Sequence, residues 1–326
     1  MAFGLCLIVV VLGAYVRLSD AGLGCPDWPG CYGHLTPIGA AADASGTAGY
    51  TIPLHTGKAW REMIHRYAAT TLGLLIIVIA ALAYAWRRDR VLAPQYAFAL
   101  LGIVVLQGVL GMLTVTWLLK PMAVTLHLLF GLTTLSLLWW LVLTLGRRGG
   151  GAWSAATAFL GAPLQRARRL ALAGLVALAL QIALGGWTSS NYAAVACPDF
   201  PRCQGAWWPA MDYDSAFVLW SGPSVNYEGG VLDQSARVAI HFTHRLGALV
   251  ATFALLWAAA AVLRHRRDAP ARRAAFAVLI ALALQLTIGI STVLEGFPLW
   301  LATAHNAGAA ILLLATVALN RTLRPV

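Results

Sequence analysis

The stretch Trp60–Arg66 brings three kinds of chemically active side chain together at the start of a long apolar run. On a helix, Glu62 and His65 share one face because they are three residues apart, and Arg66 lies one turn from Glu62. A carboxylate at a membrane boundary is costly to bury without a function, so Glu62 is a candidate for acid-base chemistry or charge stabilisation. The simpler alternative is an ion pair with Arg61 or Arg66.

The same pattern returns as Ile240–Arg245, which also opens an apolar run. There His244 and Arg245 form the same pair, but His241 takes the place of Glu62. This difference predicts a division of labour, in which one half of the chain does chemistry and the other holds a cofactor.

Four histidines occupy equivalent positions in the two halves: His65 and His127, then His244 and His305. Each pair lies on two different predicted helices at a similar depth near the outer surface. Two imidazoles on different helices of a four-helix unit can bind haem iron from both faces, so we predict one haem-sized site in each half. Hydrogen bonds between helices and proton relay are the alternatives. Zinc fits less well because its ligands are usually closely spaced.

Arg66 and Arg245 directly follow the first histidine of each pair. A guanidinium offers a planar, bidentate match to a carboxylate, so both are predicted partners of haem propionates. Snorkelling to the membrane interface is the alternative.

The cysteines form two Cys-x5-Cys pairs, Cys25–Cys31 and Cys197–Cys203, and Cys6 is left over. The outer face of a bacterial-type membrane is oxidising, so each pair is expected to form a local disulfide. We interpret Cys197–Cys203 as structural. Cys25–Cys31 lies in the half that has the acid, so a reducible, functional disulfide is a second interpretation there.

The elements that position these residues are membrane-spanning helices. Of the 326 residues, 60% are hydrophobic and 11% are charged, which is typical of a polytopic membrane protein. Eight runs have about the 20 apolar residues that a spanning helix needs: about 1–17, 63–86, 93–117, 121–145, 169–188, 240–263, 272–294 and 298–320. We interpret the first run as a retained helix rather than a signal peptide, because Leu12–Tyr15 at its end resembles Leu184–Trp187 at the end of the fifth.

The net charge of +11 has a topological explanation. The turns after the second, fourth and sixth spans and the C-terminal tail hold 15 of the 23 basic residues: Arg87, Arg88, Arg90, Arg147, Arg148, Arg166, Arg168, Arg169, Arg264, Arg266, Arg267, Arg272, Arg273, Arg321 and Arg324. By the positive-inside rule, both termini are cytoplasmic and the two cysteine loops are periplasmic in a bacterial inner membrane. The basic excess therefore does not indicate a nucleic-acid partner.

An internal repeat organises the chain. The first cysteine pair recurs 172 residues later, and five residues recur 178 residues later: Gln107, Gly111, Thr114, Val115 and His127 become Gln285, Gly289, Thr292, Val293 and His305. We therefore predict an all-α integral membrane protein with eight transmembrane helices in two pseudo-symmetric, parallel four-helix bundles. The predicted halves are residues 1–146 and 169–326, joined by a cytoplasmic linker at 147–168.

Taken together, these motifs resemble the haem A synthase family over essentially the whole chain. The features that carry the resemblance are Gly13-x3-Arg17-Leu18, Ser19-x2-Gly22-Leu23, Glu62-x2-His65-Arg66, the loop cysteines and the three remaining histidines. The resemblance implies an oxidoreductase that converts the C8 methyl group of haem O to the formyl group of haem A, for cytochrome oxidase.

The resemblance also implies residue roles. His244 and His305 correspond to the ligands of a haem b, and His65 and His127 to the site of the substrate haem O. Glu62 corresponds to the catalytic glutamate, and Cys25 and Cys31 to the first-loop cysteine pair. His241 beside His244 departs from the simplest pattern, although the spacing to Arg245 favours His244 as the iron ligand.

The expected partners are a haem O synthase (farnesyltransferase) in the same membrane and an external electron acceptor or donor, and a homo-oligomer is left open. A second hypothesis is a two-haem b transmembrane electron-transfer cytochrome, in which Glu62 has a structural or proton-coupling role. A third is a transporter whose histidines relay protons. The difference between Glu62 and His241 favours the enzyme, because a symmetric carrier does not need it.

Overall fold

The computed structural model describes residues 1–43, 49–50, 52–87, 94–148, 162–220, 222, 225–266 and 268–324. Four of the charged residues in the turns used to predict the membrane orientation lie outside these residues: Arg88, Asp89, Arg90 and Arg267. Most of the predicted linker, residues 149–161, also lies outside them.

The described residues form helices and turns, with no strand. In chain order the helices are α1 (Ala2–Leu18), α2 (Pro37–Ala42), α3 (Thr56–Ala85), α4 (Pro94–Thr116), α5 (Pro121–Arg148), α6 (Ala162–Ser190), α7 (Tyr213–Ala216), α8 (Gln234–His265), α9 (Ala269–Leu294) and α10 (Leu299–Thr322). A single 3-10 turn, Ala194–Ala196, precedes the second cysteine pair. The all-helical prediction is confirmed for this part of the chain.

Seven of the described helices are long and apolar enough to cross a membrane: α3, α4, α5, α6, α8, α9 and α10. The first helix, α1, is apolar but has only 17 residues. The structure thus agrees with a helical membrane protein, while the eighth span and the two pseudo-symmetric bundles remain predictions.

Prolines and capping residues fix where several helices begin. Pro94 and Pro121 stand at the first positions of α4 and α5, where a missing N–H costs no intrahelical bond. The carboxylate of Asp268 caps α9 by accepting from Ala271 N–H at 3.2 Å. Helix α3 begins at Thr56, before the apolar run, so the Glu62 motif is helical throughout. The backbone therefore holds this motif in a fixed geometry.

The fold comprises two compact units. The first contains Met1–Leu135, Gly186–Ala193 and Asp212–Arg237, and the second contains Ser136–Gly185, Ala194–Met211 and Val238–Val326. Within the first unit, α3 packs against α1, α2 and α4, and within the second, α9 packs against α10. Each unit therefore contains one of the two predicted histidine pairs.

Candidate functional site

Both cysteine pairs form short disulfide loops with the same backbone conformation. The Sγ atoms are 2.04 Å apart in Cys25–Cys31 and 1.93 Å apart in Cys197–Cys203. In each loop an aspartate, Asp27 or Asp199, accepts from the backbone N–H groups five and six positions later, at 2.6–2.9 Å. Desolvation by burial raises the pKa of Asp199, but the hydrogen bonds from the backbone N–H groups of Gly205 and Gln204 outweigh it and hold this pKa below its usual range. The loops are thus equivalent structures in the two units.

Arg66 fastens the first loop to α3. Its Nη1 donates to the carbonyl oxygens of Asp27 at 2.9 Å and Gly30 at 2.5 Å, and its Nη2 donates to Glu62 Oε1 at 2.5 Å. Longer bonds run from Nη1 to Pro29 and from Nη2 to Cys25. The guanidinium therefore anchors the loop, and propionate binding by Arg66 remains a prediction.

Arg245 fastens the second loop to α8 in the same way. It donates to the carbonyl oxygens of Arg202 at 2.7 Å and Cys197 at 2.9 Å. Its third partner differs from that of Arg66, because Nε donates to Nε2 of His241 at 3.2 Å. A neutral acceptor thus replaces a carboxylate at this position, and propionate binding by Arg245 likewise remains a prediction.

Glu62 is buried, with a residue exposure of 4%. Its Oε1 accepts from Arg66, and its Oε2 accepts from the backbone N–H of Cys25 at 2.9 Å. The loop reaches this oxygen because residue 24 is glycine: a Cβ there would lie 2.6 Å from the carbonyl carbon of Lys58 in α3. The carboxylate is therefore held in one orientation by a charged group and by the disulfide loop.

The first unit contains His65 of α3 and His127 of α5, the first of the two predicted pairs. Each imidazole packs against a glycine of a neighbouring helix. A Cβ at Gly13 would lie 2.9 Å from Cε1 of His65, and one at Gly111 would lie 3.1 Å from Cε1 of His127. The Nδ1 atoms of both rings are buried and have no hydrogen-bond partner among the described residues.

The second unit repeats this arrangement with His244 of α8 and His305 of α10, the second predicted pair. A Cβ would lie 3.1 Å from His244 at Gly185 and 2.8 Å from His305 at Gly289. Glycine thus makes room for a ring at all four positions. A haem site at each of these two pairs remains a prediction.

The ligand types suit haem better than a closed metal site. Among the described residues there is no group of three or more His, Cys, Asp and Glu side chains that could hold a metal ion. Two imidazoles from two different helices match axial ligation of a haem, whereas structural zinc takes four ligands. The residues present therefore fit a haem in each unit.

Three glutamines contact the histidines: Gln107, Gln181 and Gln285. From the sequence, Gln107 and Gln285 were identified only as markers of the repeat, and Gln181 was not singled out. In each repeat, one glutamine stands 20 residues before a histidine: Gln107 before His127, and Gln285 before His305. That repeated spacing of a polar residue inside an apolar helix was an available signal. Gln181 contacts His244 from 63 residues away, so no local pattern indicates it.

The family model described as cytochrome oxidase assembly protein, COX15-CtaA, matches residues 1–317. The chain belongs to this family. The haem A synthase of Shewanella oneidensis is 42% identical over 319 residues, which cover 96% of this chain and 92% of that protein. The haem A synthase of Caulobacter vibrioides is 31% identical, with coverages of 97% and 92%, and that of Chelativorans sp. is 30% identical, with coverages of 94% and 84%. Membership of the COX15-CtaA family confirms the resemblance seen in the motifs.

Proposed function

We propose that this chain is a haem A synthase. It oxidises the C8 methyl group of haem O by two successive hydroxylations, and loss of water then gives the formyl group of haem A. Family membership and the similarity to named haem A synthases support this function. The observation that carries it is the difference between the units: a buried, oriented carboxylate lies one turn from His65 in the first, and a neutral imidazole replaces it in the second.

In the first unit, His65 and His127 bind the iron of the substrate haem O, and Glu62 is the catalytic residue. Its two oxygens are oriented by Arg66 and by the Cys25 N–H. Each hydroxylation breaks one C–H bond of the methyl group and forms one C–O bond to water, while two electrons leave for the external acceptor and two protons are released. From its position the carboxylate stabilises the positive charge that develops at the methyl carbon, or takes a proton from the attacking water. The disulfide loop thus contributes to catalysis by holding Glu62.

In the second unit, His244 and His305 hold a haem b. This cofactor supplies electron transfer between the substrate site and an external acceptor or donor. Arg245 and the Cys197–Cys203 loop keep α8 in place. His241 accepts a hydrogen bond from Arg245 without adding a buried charge.

The protein acts in the bacterial inner membrane, with both termini cytoplasmic and both disulfide loops periplasmic. So apolar a substrate does not diffuse freely in water, and therefore a haem O synthase in the same membrane hands it over.

A paired substitution tests the assignment. Glu62→Gln keeps the size of the side chain and removes its charge, and His241→Gln is the matched change in the second unit. In membranes supplied with haem O, we expect Glu62→Gln to reduce haem A formation by at least 100-fold, while His241→Gln retains most of it. Equal haem A yields from the two variants would contradict the proposed division of labour.

A further inference from the structure

Arg61 stands one turn before His65 on α3, toward the start of the helix. Residues four apart are neighbours on a helix face, about 40° apart in direction and about 6 Å apart along the axis. Helix α1 lies against both side chains. A Cβ at Gly13 of α1 would be 2.9 Å from Cε1 of His65. The guanidinium carbon of Arg61 is 5.8 Å from the centre of the Tyr15 ring, two residues further along α1. The guanidinium and the predicted ligand of the substrate iron thus lie beside the same helix.

Among the described residues, Arg61 is a cation at the start of α3 without an anionic partner. Its neighbours on the helix are paired: Lys58 lies 3.7 Å from Glu228, and Arg66 pairs with Glu62. The Arg61 side chain is exposed and makes no hydrogen bond or ion pair with any described residue. Its charge and its planar set of donors are therefore available to a ligand.

Arg66, which the sequence suggested as the propionate partner, has its donors occupied. Its Nη1 and Nη2 donate to four carbonyl oxygens of the first disulfide loop and to Glu62. A propionate could bind there only by displacing some of these bonds, one of which orients the carboxylate. Arg61 has no such bonds to give up, so it is the better candidate of the two arginines.

The carboxylates of a haem at His65 are expected to point toward the end of α3 that holds Arg61. At 1.5 Å per residue, His65 is about 14 Å from the start of the helix at Thr56 and about 30 Å from its end at Ala85. A carboxylate is costly in hydrocarbon, so propionates project toward the nearer polar edge. A guanidinium there offers them a bidentate, charge-assisted pair of hydrogen bonds.

We propose that Arg61 is a substrate-binding residue that pairs with a propionate of haem O. The inference rests on the proposed function, in which His65 binds the iron of that haem. One turn before His244, in the second unit, stands Ile240, which is 0% exposed. The pair is therefore specific to the substrate site. On the porphyrin rim the C8 methyl group shares a pyrrole ring with one propionate, so a cation that holds this propionate also fixes which edge of the macrocycle is presented to Glu62.

The test compares haem O with its dimethyl ester, in which both carboxylates are neutral. Each is titrated into the full-length chain, purified in detergent with haem b retained and without an electron acceptor, and binding is followed by absorption. We expect Arg61→Leu to bind haem O about 10- to 100-fold more weakly, because charge-assisted hydrogen bonds are lost, and to bind the ester as the wild type does. Arg61→Lys keeps the charge without the planar fork and is expected to lie between. Arg202→Leu is the matched control, since Arg202 is also exposed and lies 5.6 Å from the Trp207 ring, in the second unit.

A loss in Arg61→Leu that is confined to the free acid, with the control unchanged, supports the inference, since a structural role weakens acid and ester alike. Wild-type affinity for haem O in Arg61→Leu, or equal losses for acid and ester, would overturn it. His65→Ala separates the two proposals. An unchanged spectrum of bound haem O in that variant refutes the ligand assignment and the inference with it, whereas an altered spectrum beside a silent Arg61→Leu refutes only the inference.

Discussion

Replacement of Arg66 by methionine is expected to destabilise the protein more than the same change at Arg245. Methionine keeps most of the apolar stem and removes the guanidinium. The side chains of Arg66 and Glu62 are only 13% and 6% exposed, and their oxygen and nitrogen are 2.5 Å apart. Removal of one partner leaves a buried carboxylate with one remaining backbone donor, which costs about 3–5 kcal/mol. Both substitutions also leave backbone carbonyl oxygens of a loop without the guanidinium, so that part of the cost is common to them. In place of the carboxylate, Arg245→Met leaves only the neutral Nε2 of His241, which costs about 1–3 kcal/mol when unsatisfied.

A double-mutant cycle isolates the pairwise part of this difference. For Arg66→Met with Glu62→Gln, we expect a coupling free energy of about 2–3 kcal/mol, because the double variant has no unpaired buried charge. For Arg245→Met with His241→Phe, we expect about 1 kcal/mol, the value of an ordinary hydrogen bond. The free energy of unfolding of each variant is measured by denaturant titration in mixed micelles. Coupling energies that agree within about 0.5 kcal/mol would refute the argument that the first unit has a buried ion pair of special strength.

Two glycine substitutions test the close contacts of the first unit, each with a control at a glycine that has no neighbour within 4 Å. Gly24→Ala pushes the disulfide loop away from α3, so we expect haem A yield to fall at least 10-fold while haem b content stays unchanged. The control Gly57→Ala is expected to have no effect. An unchanged haem A yield in Gly24→Ala would show that the loop need not reach the carboxylate. Gly111→Val drives a side chain into the ring of His127, so we expect this variant to retain less haem O. The control Gly108→Val, one turn away on α4, is expected to retain as much haem O as the wild type. Equal retention of haem O in both variants would contradict a ligand role for His127.

The sequence was sufficient for those parts of the site that depend on local spacing. The i, i+3 relation of Glu62 and His65 and the i, i+4 relation to Arg66 follow from helix geometry once the apolar run is recognised. The recurrence of the cysteine pairs likewise predicts two equivalent loops. These features need no knowledge of how distant segments pack.

Contacts between distant segments could not be predicted in this way. The N–H that binds Glu62 belongs to Cys25, 37 residues away, and depends on a loop conformation that side-chain patterns do not specify. The observed partners of Arg66 are likewise backbone carbonyl groups of that loop, which have no signature in the sequence. Burial of polar groups in an apolar environment determines these pairings, and only the folded chain brings the groups together.

The most direct test of the central claim is the identity of the haems that the protein holds. The wild-type chain and Glu62→Gln are purified from membranes that contain haem O, and their non-covalent haems are extracted and identified by chromatography and mass. We expect haem B with haem O, a hydroxylated intermediate or haem A in the wild type, and haem B with unmodified haem O alone in Glu62→Gln. Haem B as the sole haem of the wild-type protein would contradict the account and favour a two-haem b electron carrier.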